Sequence, residues 1–177
     1  MAGKTKQKGM IQIYTGDGKG KTTAALGLAL RAAGHGMKTF IGQFMKGQVY
    51  GELRALQDFP LIAIEQFGGN KCIRREEVTD RDRQRAEQGL QRCLEVMQSG
   101  NFNIIVLDEI LVALWFGLVS LETVLHLVDC KPAAVELILT GRRAPQELID
   151  RADLVTEMRQ VKHYYQQGVP ARKGIER

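Results

Sequence analysis

The stretch that decides the fold is Thr15-Gly16-Asp17-Gly18-Lys19-Gly20-Lys21-Thr22-Thr23. It follows a short apolar run and opens a segment with helical periodicity. A glycine-rich turn in that context can direct backbone N–H groups around phosphate oxygens, and the helix N-terminus adds partial positive charge. Lys21 then supplies a point charge, and the Thr22 hydroxyl suits a magnesium ion. The stretch therefore predicts a phosphate-binding loop, and we call residues 15–20 the glycine-rich loop.

The glycine-rich loop departs from the usual spacing at its first position. Thr15 stands where the consensus of phosphate-binding loops has a glycine, and the glycine comes one place later, at Gly16. This shift indicates a loop shorter than that of kinases. A dinucleotide fingerprint starting at Gly16 fails because Lys21 occupies the place of its last glycine. NAD and FAD are therefore disfavoured as ligands.

The composition is that of one folded domain. The chain has 177 residues, of which 44% are hydrophobic and 25% charged, within the range of globular proteins. We expect a flexible tail over residues 1–9 and a single domain over residues 10–177. A net charge of +5 is modest for a nucleic-acid partner, and the 6% of aromatic residues do not interleave with basic ones. Nucleic acid is an unlikely partner.

Cysteine usage and hydropathy indicate a cytoplasmic protein. Cys72, Cys93 and Cys130 are odd in number and widely spaced, unlike the ligands of a zinc site or the framework of a secreted domain. The apolar stretch Met10–Tyr14 is too short for the core of a signal peptide. The longest apolar run, residues 110–119, is about half of the ~20 residues that a membrane-spanning helix requires. We expect no membrane span.

Short β-rich runs alternate with longer helical segments, which is typical of an α/β fold with a mainly parallel sheet and helices on both faces. The predicted strands are Met10–Tyr14, Lys38–Phe44, Ile62–Phe67, Asn103–Leu107, Val135–Thr140 and Leu154–Met158. The predicted helices are Thr22–Ala33, Gln48–Asp58, Asp82–Met97, Leu121–Val128 and Pro145–Arg151. Together with the glycine-rich loop, this order predicts a P-loop NTPase fold of the RecA-like type.

Two further strand ends carry candidate functional side chains. The apolar run Ile104–Leu107 ends in Asp108 and Glu109, whose carboxylates can bind magnesium directly or through water. The strand that ends near Thr140 is followed by Arg142, whose guanidinium could reach phosphate oxygens. A solvated arginine in a turn is an equally good interpretation. Parallel strands end at one edge of the sheet, where ligands bind.

Other residue types point to no further chemistry. His35, His126 and His163 lack metal-ligand spacing, and no arrangement of a nucleophile with a base is evident. Trp115 and Phe116 most simply pack in the core, although an aromatic lip beside the ligand is an alternative.

The motifs in their order resemble the P-loop family of ATP:corrinoid adenosyltransferases, which act on cobalamin and its precursors. The matching blocks are residues 15–23 and 31–36, Gln43–Gly47, Val106–Glu109, Leu139–Arg142, Glu157–His163, Gly168-Val169 and Lys173-Gly174-Ile175. They cover nearly the whole chain. Two places depart from relatives: Gly68-Gly69 replaces a stretch that can carry a tryptophan, and Gln160 replaces a proline.

The resemblance implies transfer of the 5′-deoxyadenosyl group of ATP to cobalt(I) of a reduced corrinoid, with release of inorganic triphosphate. It implies that residues 16–23 hold the triphosphate, in a sense reversed from kinases, and that Glu109 and Thr22 hold Mg²⁺, or Mn²⁺ in its place. It further implies that Lys21, Glu109 and Arg142 serve catalysis and that Phe67 lies near the corrinoid. A homodimer and an electron donor such as a reduced flavoprotein are expected as partners.

Two other readings remain open at the level of sequence. A nucleotide kinase would share the glycine-rich loop and the acidic strand end, but it requires an acceptor site and a lid rich in arginine. A RecA-like ATPase acting on nucleic acid would show salt-sensitive binding to single strands. The identity of the polyphosphate that leaves ATP separates these readings.

Overall fold

The structure is a computed structural model that describes residues 8–71 and 73–176. The predicted tail lies outside the described residues, apart from Lys8 and Gly9, and so does Cys72. Gly9 donates a backbone hydrogen bond to the Ala133 carbonyl (2.8 Å).

Within the described part of the chain, six strands form one sheet in which every pairing is parallel. They are β1 (Ile11–Thr15), β2 (Thr39–Gln43), β3 (Ile62–Gln66), β4 (Ile104–Asp108), β5 (Glu136–Thr140) and β6 (Leu154–Glu157). The spatial order is β3-β2-β4-β5-β1-β6. The predicted α/β fold is thereby confirmed, and each predicted strand is present to within a residue or so at its ends. The order places β5 between β1 and β4, so the glycine-rich loop and the acidic pair meet across one intervening strand.

Helices cover both faces of the sheet, as predicted. They are α1 (Lys21–Ala33), α2 (Gly51–Leu56), α3 (Asp80–Gln98), α4 (Ile110–Trp115), α5 (Leu121–Asp129) and α6 (Gln146–Ile149). On one face, Ala25 and Ala29 of α1 pack on Val106. On the other face, α3, α4 and α5 pack on neighbouring residues of the same strand, such as Leu107. Alternate residues of a strand point to opposite faces, which explains why β4 is apolar throughout.

Helix boundaries differ from the prediction where capping or tertiary contacts decide them. Helix α3 begins two residues before the predicted Asp82, because the Thr79 and Asp82 side chains cap each other's backbone N–H groups. Helix α2 is shorter than the predicted Gln48–Asp58. The Gln48 carbonyl accepts a hydrogen bond from Gln66 Nε2 (3.0 Å), which holds the backbone before α2 against the end of β3.

Helix α4 was not predicted. Its residues Ile110, Leu111 and Ala113 are buried, and a short apolar run of this kind does not reveal whether it is strand or helix from periodicity alone. Among the described residues, no helix combines the length and apolar character needed to cross a bilayer.

Candidate functional site

A cavity of about 580 Å³ lies at the carboxyl edge of the sheet. Its wall is formed by the glycine-rich loop, the start of α1, the turn after β2, the start of α2 and the residue after β4. Residues 163–176, which we call the C-terminal segment, complete the wall. The charged residues that line it are Asp17, Lys19, Lys21, Lys46, Glu52, Glu109, Arg142 and Glu176. The strand ends predicted to carry function therefore converge on one cavity.

The glycine-rich loop depends on glycine at defined positions. Gly16 and Gly20 have φ of 94° and 114°, in the range that L-residues with side chains rarely adopt. A Cβ at Gly18 would lie 2.6 Å from the Met158 carbonyl oxygen, which accepts a hydrogen bond from the Gly18 N–H (2.7 Å). Thr15 is the last residue of β1 and has no positive φ. The turn out of the strand therefore begins at Gly16, which explains why the glycine appears one place late.

Lys21 reaches back into the glycine-rich loop. Its ammonium donates to the carbonyl oxygens of Gly16 (2.6 Å) and Gly18 (2.7 Å). Burial lowers the pKa of Lys21 from its usual value, against the opposing influence of Glu109. The lysine is only 7% exposed, so its charge is concentrated inside the loop. A polyphosphate there would meet a poorly hydrated ammonium, which strengthens the electrostatic attraction.

Asp108 is the buried centre of the acidic strand end. The hydroxyls of Thr22 and Thr140 each donate to its Oδ1 at 2.8 Å. Lys46 Nζ (2.9 Å) and Gln43 Nε2 (3.3 Å) donate to its Oδ2. Register explains these contacts, because Gln43 of β2 pairs directly with Asp108 of β4. Asp108 thus joins α1, β2 and β5 beneath the floor of the cavity.

Glu109 lines the cavity in a strained conformation. Its φ is 62°, and its backbone N–H donates to Thr140 Oγ1 (2.9 Å). A non-glycine residue in this left-handed region stores conformational energy, which is common at functional sites. Burial, and next the neighbouring charge of Asp108, raise the pKa of the Glu109 carboxyl. Asp108 is turned into the protein and Glu109 is turned to the cavity.

The oxygen atoms near the acidic strand end suit a magnesium ion. Thr22, Asp108 and Glu109 offer a hydroxyl and carboxylates, the hard ligands that Mg²⁺ prefers. Among residues 8–71 and 73–176, no three His, Cys, Asp or Glu side chains gather as a cage. A site with one or two carboxylates is nevertheless what Mg²⁺ uses when substrate phosphates complete its coordination. The residues present therefore fit a nucleotide-associated Mg²⁺.

Arg142 and the C-terminal segment close the rim of the cavity. Arg142 Nε lies 3.9 Å from Asp17 Oδ1, and both side chains are more than half exposed. Glu176 accepts hydrogen bonds from Lys19 (2.6 Å), Tyr164 and Arg172 (3.1 Å). These bonds, that from Arg172 foremost, hold the pKa of Glu176 well below its usual value. The C-terminal segment is thereby held against Lys19 of the glycine-rich loop.

The structure separates the predicted site residues into two groups. All of residues 17–23, together with Glu109 and Arg142, line the cavity, and Gly16 and Asp108 lie directly behind its wall. Phe67 does not line it: its ring packs 5.6 Å from that of Phe44 and borders a second, small depression. Phe116 packs against the core as predicted. The centre of the Trp115 ring, by contrast, lies 4.0 Å from Arg143 Cζ.

Several residues of the site were missed by sequence reasoning. Lys46, Tyr50 and Glu52 line the cavity, as do His163 and Ile175 from the C-terminal segment. The signal for Lys46 was its place after an apolar strand, where a parallel sheet delivers side chains to the same edge.

Comparison with known proteins decides the family. The chain matches the family described as ATP:corrinoid adenosyltransferase BtuR/CobO/CobP over residues 7–177. The chain belongs to this family. The match includes the glycine-rich loop, the acidic strand end, Arg142 and the C-terminal segment, so the whole cavity lies within the family region.

Curated relatives of similar length agree. The corrinoid adenosyltransferase of Pseudomonas aeruginosa is 34% identical over 96% of this chain and 84% of its own length. That of a Sinorhizobium species is 36% identical over 99% of this chain and 84% of its own length. The corrinoid adenosyltransferase CobA of Salmonella typhimurium is 34% identical over 97% of this chain and 87% of its own length. The resemblance deduced from the motifs is therefore confirmed.

Proposed function

We propose that this protein transfers the 5′-deoxyadenosyl group of ATP to cobalt(I) of a reduced corrinoid and releases inorganic triphosphate. The observation that carries the proposal is the cavity itself, within a chain that belongs to the family. Lys19, Lys21, Lys46 and Arg142 line the same cavity as the glycine-rich loop and the N-terminus of α1. Such a site is suited to binding a polyanion and to stabilising its negative charge as it leaves.

In the proposed reaction the cobalt(I) of the substrate attacks C5′ of ATP. A cobalt–carbon bond forms, the C5′–oxygen bond breaks, and its electron pair departs on the triphosphate while cobalt becomes formally cobalt(III). No phosphoryl group moves and no protein proton is required. The work of this chain is therefore positioning and neutralisation of the leaving charge.

The residues of the cavity divide this work between them. The N–H groups of the glycine-rich loop and the start of α1 hold the triphosphate, with Asp17, Lys19 and Thr23 at its edge. Lys21 and Arg142 supply the cations that face the departing oxygen atoms. Thr22, Asp108 and Glu109 would hold Mg²⁺, or Mn²⁺ in its place, which supplies further positive charge when bound.

Further parts of the proposal rest on the family resemblance. We propose a single domain over residues 10–177 that acts as a homodimer in the cytoplasm, with Phe67 near the corrinoid. Cys93 and Cys130 are free thiols, which suits a reducing compartment. Because the nucleophile is cobalt(I), an external one-electron donor is required, and a reduced flavoprotein is of the right chemical class.

The identity of the released polyphosphate tests the proposal. The protein is incubated without oxygen with ATP, Mg²⁺, a chemical reductant and cobalamin, and the products are followed by phosphorus NMR and the visible spectrum. We expect tripolyphosphate in equal amount to a light-sensitive alkylcobalt product, and none when the corrinoid is omitted. ADP formed at the same rate with and without corrinoid would overturn the proposal in favour of an ATPase.

Lys21→Ala should abolish binding of MgATP in calorimetry while the circular dichroism spectrum stays unchanged.

A further inference from the structure

We propose that Lys46 is a phosphate-binding residue that pairs with Asp108 in the free protein and with the triphosphate in the nucleotide complex. This inference rests on the function proposed above. Lys46 belongs neither to the glycine-rich loop nor to the acidic strand end. It lies in the turn after β2, and the structure of that turn supports the inference.

The backbone around Lys46 is held in one conformation. Met45 has φ of 61°, which a methionine adopts only when its surroundings impose it. The Gly68 N–H donates to the Lys46 carbonyl (2.9 Å). A Cβ at Gly68 would lie 2.3 Å from Lys46 N, and one at Gly47 would lie 2.6 Å from the Gly68 carbonyl oxygen. Gly47 and Gly68 thus allow the turn after β2 to approach the end of β3, and the turn directs Lys46 back towards the sheet edge.

The ammonium of Lys46 lies in the wall of the cavity among carboxylates. It is 2.9 Å from Asp108 Oδ2 and 3.7 Å from Glu52 Oε1, and 5.6 Å from the centre of the Tyr50 ring. Its side chain keeps 17% of its exposure. The charge is therefore partly open to a ligand in the cavity, yet it is already paired with acids.

Asp108 cannot take a further cation while Lys46 remains on it. Each of its oxygens already accepts two hydrogen bonds, from Thr22 and Thr140 on one side and from Lys46 and Gln43 on the other. A carboxylate has about four acceptor sites, so Asp108 is saturated. Of its four donors, the lysine alone carries a charge. Positive charge added beside Asp108 would repel Lys46, and a polyphosphate in the same cavity would attract it.

The geometry therefore points to an exchange. Lys46 neutralises the acids in the free protein and approaches the triphosphate from the β2 side, while Lys21 approaches from the glycine-rich loop. The long flexible stem of lysine permits the movement. No change in protonation is needed.

Two binding measurements with opposite expected signs test the exchange. Binding of Mn²⁺ alone is measured by electron paramagnetic resonance, and binding of tripolyphosphate with Mg²⁺ by calorimetry. In Lys46→Met we expect Mn²⁺ affinity to rise by about tenfold because the competing ammonium is gone, and tripolyphosphate affinity to fall by about tenfold because a charged partner is lost. Lys46→Arg, which keeps the charge, should restore most of the tripolyphosphate affinity.

Lys38→Met is the matched control, because Lys38 is exposed just before the opposite end of β2 and the substitution makes the same change in net charge. It should alter neither affinity by more than about twofold. A residue that merely supports Asp108 would lower both affinities when removed, and this result in a folded Lys46→Met overturns the exchange. An unchanged tripolyphosphate affinity in Lys46→Met also overturns the exchange, but it does not contradict the proposed function. If the wild-type protein binds no tripolyphosphate at all, the proposed function and the exchange fail together.

Discussion

Replacing Asp108 by asparagine should destabilise the ligand-free protein severely. Asp108 is 1% exposed and accepts four hydrogen bonds from three other elements of the fold and the turn after β2. An asparagine can keep the two threonine hydroxyls on its single oxygen. Its amide nitrogen would then face Lys46 and Gln43, donor against donor. The change therefore deletes the charge partner of Lys46 and leaves an ammonium that is largely removed from solvent.

The magnitude follows from the environment of Lys46. Removing one partner of a buried ion pair costs about 3–5 kcal/mol. We expect the lower end, about 3 kcal/mol, because Lys46 keeps some exposure and a weaker contact with Glu52 at 3.7 Å. For a chain of this length the melting temperature should fall by about 6–12 °C.

Urea denaturation and calorimetry of Asp108→Asn, Lys46→Met and the double variant measure the effect. Because the double variant leaves no unpaired charge, its loss should be smaller than the sum of the single losses by about 2 kcal/mol. Asp129→Asn is the control: it breaks an ion pair with Arg151 in which Asp129 is 59% exposed, and should cost less than about 1 kcal/mol. Additive losses, or an Asp108→Asn effect no larger than this control, would refute the reasoning.

Three further predictions concern the site and the core. Glu109→Gln should raise the stability of the free protein by on the order of 1 kcal/mol in thermal melts at neutral pH, since it removes a charge on a carboxyl whose pKa is raised by burial and by Asp108. The variant should also lose turnover while keeping most of its affinity for ATP. A wild-type rate across a magnesium titration would contradict the role assigned to Glu109. Gly18→Ala should weaken tripolyphosphate binding by at least about tenfold, because the new Cβ would lie 2.6 Å from the Met158 carbonyl oxygen; an unchanged calorimetric affinity would show that the loop moves freely. Cys93 is fully buried and burial raises the pKa of its thiol, so iodoacetamide should label Cys130 before Cys93 in peptide mapping by mass spectrometry. Equal labelling rates of these two cysteines in the folded protein would show that the core opens readily.

Local pattern was enough to predict the elements that meet at the cavity. The strand, glycine-rich loop and helix of residues 11–33 follow one another along the chain, and an apolar strand that ends in Asp108 and Glu109 is visible in the same way. Parallel strands that alternate with helices deliver such ends to one edge of a sheet. The family resemblance, carried by the same segments, needed no structure either.

Only the tertiary structure decided the partners of these residues. Lys46 pairs with Asp108 because β2 lies beside β4 in the sheet, although the two strands are far apart along the chain. Lys19 pairs with Glu176 across almost the whole sequence, and Phe67 is drawn against Phe44 rather than to the cavity. Periodicity reports whether a segment is buried and on which face, since it reflects neighbours within one element. The order of strands is set by which apolar faces pack together over long range. That order places Lys46 beside the acidic strand end, in addition to Lys21, which follows the glycine-rich loop.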